Sequence, residues 1–158
     1  VAAGADPGMG PRNEIFSAGQ RALLDELCER IIPTTDTPGA RDAGVTGYIE
    51  MIVDEYHEAD ERDGFLDDLN AVDAYAREQY QAPFTELTPG QQDAIVSLVE
   101  QQQLRGTDDA FFETIKQLTV TGYYTSEIGM TVERVYLPIP GRYDGAYPYA
   151  EVGRLFTA

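Results

Sequence analysis

The sequence predicts a small all-α protein: about five helices in a bundle, followed by an irregular C-terminal tail rich in tyrosine, proline and glycine. Three observations carry that prediction. Apolar residues recur at helical spacing in five windows between residues 17 and 121, and two of the windows open on capping boxes. No window shows the two-residue alternation of a half-buried strand. Residues 122–158 break the helical pattern, holding six of the ten tyrosines, five glycines and three prolines.

The first helix is expected from about Ser17 to Ile32. Ser17 and Gln20 form an S-x-x-Q capping box, Leu23, Leu24, Leu27 and Ile31 share one face, and Pro33 ends the ladder because proline has no amide. Residues 33–44, PTTDTPGARDAG, are all turn formers. A second helix follows from about Val45 to His57, with Val45, Tyr48, Ile49, Ile52, Val53 and Tyr56 spaced for burial. The acidic run from Glu58 is read as a break. The third helix is placed at about Gly64 to Gln81, on the stripe Phe65, Leu69, Val72 and Tyr75. The fourth opens at Thr88, Pro89 and Gln91, a capping box with proline at the first helical position, and is expected to stop at Gly106. The fifth runs from about Asp108 to Thr121 and carries Phe111, Phe112, Ile115 and Leu118. The length suits one domain: a flexible arm over 1–15, a helical body over 16–121 and an extended tail over 122–158.

Charge narrows the function. The chain carries −17 at neutral pH while residues 122–158 are nearly neutral. Such acidity opposes nucleic acid and anionic lipid. No apolar run approaches the roughly 20 residues of a membrane span, and no signal peptide is visible.

Catalytic groups are sparse. His57 is the one histidine. Asp54-x-x-His57 resembles half of a di-metal carboxylate site, but no second histidine exists to complete it. The acid run from Asp54 to Asp68 fails as an EF-hand: with Gly64 at position six, Ala59 and Asn70 fall where carboxylates are required. No phosphate-binding glycine loop or nucleophile elbow occurs. No catalytic, cofactor-binding or metal-ligating residue is assigned. Cys28 is the only cysteine; a buried thiol is one reading, a disulfide to a partner chain the other.

The tail has two readings as well. Tyrosine presents a broad, stiff, amphipathic surface, so the tail either grips another protein or folds back as cover for its own body. Tyr123, Tyr124, Tyr136 and Tyr143 are the candidate anchors. Ser126 and Glu127 are placed to cap a short helix or bond the partner, and Pro138, Pro140 and Pro148 would hold segments extended.

Two segments resemble a known family. Leu23 to Glu55 contains Ile-Ile-Pro-x-Thr-Asp-x-Pro-Gly-Ala and an Asp-Ala-x-Val start to the next helix. Gly122 onward contains Gly-Tyr-Tyr-x-Ser-Glu and then the Tyr-x-x-x-Pro-Gly of Tyr136, Pro140 and Gly141. Together they resemble the gluconate 2-dehydrogenase subunit 3 family, the small subunit of membrane-associated FAD-dependent sugar dehydrogenases. The resemblance implies a non-catalytic subunit that binds and stabilises a large flavoprotein of the glucose–methanol–choline type. FAD would sit in that partner, which passes electrons to a cytochrome subunit or another acceptor. It also implies twin-arginine export and a periplasmic location, free or at the membrane. No Arg-Arg pair occurs in this sequence, as expected if a leader has been removed. The competing readings are a stand-alone acidic binding module with weak affinity for divalent metal, and a helical metal enzyme.

Overall fold

The computed structural model describes residues 15–136, 148, 150, 153 and 156–157. Five helices form the body: α1 (Ala18–Ile31), α2 (Val45–Tyr56), α3 (Ala59–Tyr80), α4 (Pro89–Glu100) and α5 (Phe111–Thr125). A 3-10 turn, Phe84–Glu86, precedes α4, and a π-helical turn, Gly129–Glu133, follows α5. The all-α bundle read from the periodicity is the fold.

Helix α1 lies at the centre, packed against α2, α3, α4 and α5. Its start matches the expected capping box, with Ser17 and Gln20 each bonding the other's backbone amide. Leu23, Leu24, Leu27 and Cys28 are buried against Ile49 and Val53 of α2, Leu69 and Val72 of α3, Ile95 of α4 and Ile115 of α5. Each fully buried aliphatic side chain contributes about 1.5–3 kcal/mol. One end of the core is aromatic: Phe65 meets Phe16 and Phe111 edge-on, at centroid distances of 6.2 and 5.5 Å.

Four boundaries differ from expectation, each for a physical reason. Helix α3 begins at Ala59 and absorbs the acidic run. Glu58 caps it in a reciprocal box with Glu61, and acids in a first turn complement the positive end of the helix dipole. Gly64 is therefore inside the helix. Helix α4 ends at Glu100, because Gln102 takes a left-handed φ of 57° and turns the chain. Helix α5 begins at Phe111, after Asp68 has accepted the Asp108 amide at 2.7 Å and Asp108 the Ala110 amide at 2.8 Å. It then continues to Thr125, carrying Gly122, Tyr123 and Tyr124 in helical form where an extended tail was expected to start. Gly122 is tolerated there because a β-carbon would lie 2.6 Å from Tyr48 Cδ1, so the bare backbone lets the tyrosine ring lie against α5.

Tyr56 departs from its stripe: α2 ends at this residue, and its side chain is 70% exposed. Beyond the π-turn, β1 (Val135–Tyr136) pairs in parallel with β2 (Phe156–Thr157), Val135 opposite Phe156 and Tyr136 opposite Thr157. A two-residue pair has no periodicity to read, so the sequence held no signal for it.

Candidate functional site

The turn-rich loop between α1 and α2 is held from inside by a carboxylate. Glu29 sits in the last turn of α1 and is 7% exposed. Its Oε1 accepts the Thr34 amide at 2.8 Å and its Oε2 the Arg41 amide at 3.1 Å. The Thr34 hydroxyl accepts the Gly39 amide at 3.0 Å. A β-carbon on residue 39 would approach both carboxylate oxygens of Glu29 within 2.8 Å, so the loop closes only around glycine. Burial alone would raise the Glu29 pKa. The two amides, the Thr34 hydroxyl and the Arg41 charge outweigh it and hold the carboxyl below its ordinary value. Outside, Arg41 pairs with Asp25 and Glu26, each at 2.7 Å.

The end of α5 docks onto this loop. Tyr123 is 1% exposed, and its hydroxyl donates to the Pro38 carbonyl at 2.8 Å. Burial holds that phenol above its ordinary pKa. The Thr37 hydroxyl donates to Glu133 Oε2 at 2.8 Å. Tyr124 stands edge-on to Tyr123 at 5.2 Å and carries the Arg134 guanidinium over its face at 4.1 Å. Ser126 turns the chain: its hydroxyl donates to the Tyr123 carbonyl at 2.6 Å and accepts the Gly129 amide at 3.1 Å. Segments some 90 residues apart thus become one bonded unit, with separations of 85 residues for Tyr123–Pro38 and 96 for Thr37–Glu133. Thr35 and Asp36 in the loop and Glu127, Thr131 and Val132 in the turn after α5 are exposed.

Two expectations need correction here, the anchor role of Tyr123 and the interchain disulfide of Cys28. Tyr123 is part of the chain's own core and is not available to anchor a partner in this conformation. Tyr124 is half-buried, Ser126 caps the turn after α5, and Glu127 is exposed. Tyr136 lies in β1, where its backbone alone is described. Pro140, Gly141 and Tyr143 lie outside the described residues. Cys28 is completely buried, with its Sγ accepting the Thr119 hydroxyl at 3.4 Å. Burial pushes its thiol up to about 12, so Cys28 is neither accessible nor ionised for a disulfide to a partner. His57 caps the end of α2 and meets the Phe65 ring edge-on. Among the described residues, no cluster of His, Cys, Asp and Glu could hold a metal ion, and no helix is long and apolar enough to cross a membrane.

Glu29 and Glu133 escaped sequence reasoning, and Thr37 and Gly39 were read only as turn formers. Glu29 left one trace: a carboxylate in the last turn of a helix faces the negative end of the dipole, and so needs another partner to justify it.

A family model described as Gluconate 2-dehydrogenase subunit 3 matches residues 18–141, a span that includes both halves of this bonded unit. No curated protein and no solved structure matches the chain.

Proposed function

The chain belongs to the gluconate 2-dehydrogenase subunit 3 family, and from that premise we propose that it is a non-catalytic small subunit that binds and stabilises a glucose–methanol–choline-type, FAD-containing dehydrogenase acting on a sugar or polyol. FAD belongs to the large subunit in this reading, and a cytochrome subunit or another acceptor takes the electrons. The complex works in the periplasm, free or at the membrane, and the small subunit accompanies its partner through twin-arginine export.

One observation carries the proposal. The two segments that distinguish this chain from an ordinary helical bundle are bonded to each other through Thr37 and Glu133 and through Tyr123 and Pro38, while Glu29 holds the loop of the first from inside. A loop held by a buried carboxylate and a buried tyrosine is pre-organised, which lowers the entropy lost on docking. The surface at Thr35, Asp36, Glu127 and Val132 is therefore the docking face.

Coexpression tests it. The large subunit produced with this chain should be recovered as a yellow, flavin-loaded complex, in higher soluble yield and with a higher melting temperature than when produced alone. Equal yield and equal melting temperature with and without the chain would overturn the proposal.

A further inference from the structure

The far end of the α2–α5 pair offers a second surface. Tyr56, the last residue of α2, continues the stripe of Ile49 and Val53, yet stands 70% exposed while those two are fully buried. A tyrosine left in water at the end of a buried stripe is the residue type that anchors interfaces.

Charge surrounds it. Residues 54–68 contain eight carboxylates against one base, Arg62, which lies 3.9 Å from Asp54. A cleft of about 540 Å³ opens between the start of α3 and the start of α5. Phe65 and Phe111 line it together with Asp60, Glu61, Asp68 and Asp108. His57, which follows Tyr56 in the chain, also lines it. Aromatic rings and acidic walls suit a long side chain with an apolar stem and a cationic head. Arginine and lysine have that form.

Resting on the reading of the chain as a small subunit, we infer that the α2–α3 corner is a second contact with the large subunit, receiving an arginine- or lysine-bearing segment of it beside Tyr56. The distance permits a single partner. Helix α5 spans 15 residues, about 22 Å at 1.5 Å per residue, between this corner and the loop bound to Tyr123. A standard interface covers about 800 Å² on each side, broad enough to reach both. Val120, on α5 between them, is partly exposed at 36%.

The test uses the full chain and its flavoprotein subunit. Affinity and association rate are measured at low and high salt for wild type, Tyr56→Ala, and the double variant Asp60→Asn/Glu61→Gln. The double variant keeps an acceptor at the third helical position for the capping box. Urea midpoints of the free variants are the control. Tyr56→Ala should weaken binding about thirtyfold at an unchanged midpoint. The double variant should slow association and flatten its salt dependence. If both variants bind like a wild type that forms the complex, the second contact is wrong and the small-subunit reading survives. If wild type itself forms no complex, both fall.

Discussion

Replacing Glu29 with alanine should be among the most damaging single changes outside the apolar core. The carboxylate accepts two backbone amides, Thr34 at 2.8 Å and Arg41 at 3.1 Å. A hydrogen bond to a charged group contributes about 1.5–3 kcal/mol net. Losing both would cost about 3–6 kcal/mol, less the relief from no longer burying a carboxylate, and we expect a loss of about 3 kcal/mol. Glu29→Gln keeps one acceptor but turns its amide group towards a second N–H, so about 2 kcal/mol is expected. The assay is urea unfolding of the isolated chain, with the slope checked so that a shifted midpoint reports stability alone. Acid should narrow the gap between wild type and Gln. Because the folded pKa is lowered, the Glu29 contribution is fully present above its unfolded value and is lost as pH falls through the folded one. A loss for Glu29→Ala below about 0.5 kcal/mol, the range of ordinary surface substitutions, would refute the argument that this carboxylate holds the loop.

Asp68 should behave oppositely. Burial and the neighbouring Asp108 and Asp67 raise its pKa despite the amide bond from Asp108, so its favourable contribution is present below the unfolded pKa and lost as pH rises through the folded one. Asp68→Asn should therefore match or exceed wild type in urea at neutral pH, with the advantage shrinking in acid; a variant less stable at neutral pH would contradict this. Tyr123→Phe should cost about 1 kcal/mol through the lost bond to Pro38, read from the same unfolding curves, and an unchanged midpoint would show that bond to be idle. Cys28 should resist alkylation in the native chain and react on unfolding, since it is buried with a thiol near 12; rapid native labelling would show an accessible cysteine.

The bundle was legible because its signals are local. The capping boxes at Ser17 and Thr88 fix two helix starts within one residue, and the apolar stripes name most of the core. The third capping box was missed because Glu58 is a less common cap than Ser or Thr and sits in a run that reads as a solvated break. The continuation of α5 through Gly122 was hidden because glycine counts against helix locally, while its justification, the ring of Tyr48, lies in another helix. The bonded unit was half legible. Its two segments stood out separately, and their pairing was not visible, because bonds such as Thr37–Glu133 join residues with no periodic relation. Tyr123 shows the limit of composition: aromatic residues serve equally at interfaces and in cores, and only burial separates the two uses.

Hydrogen exchange along this chain, alone and bound to the proposed flavoprotein subunit, tests the central claim most directly. The account predicts slower exchange on binding at the loop around Thr35 and Asp36 and at the turn from Glu127 to Glu133, with the interior of α4 unchanged. A stable complex in which neither segment slows would contradict the assignment of this bonded unit as the docking face.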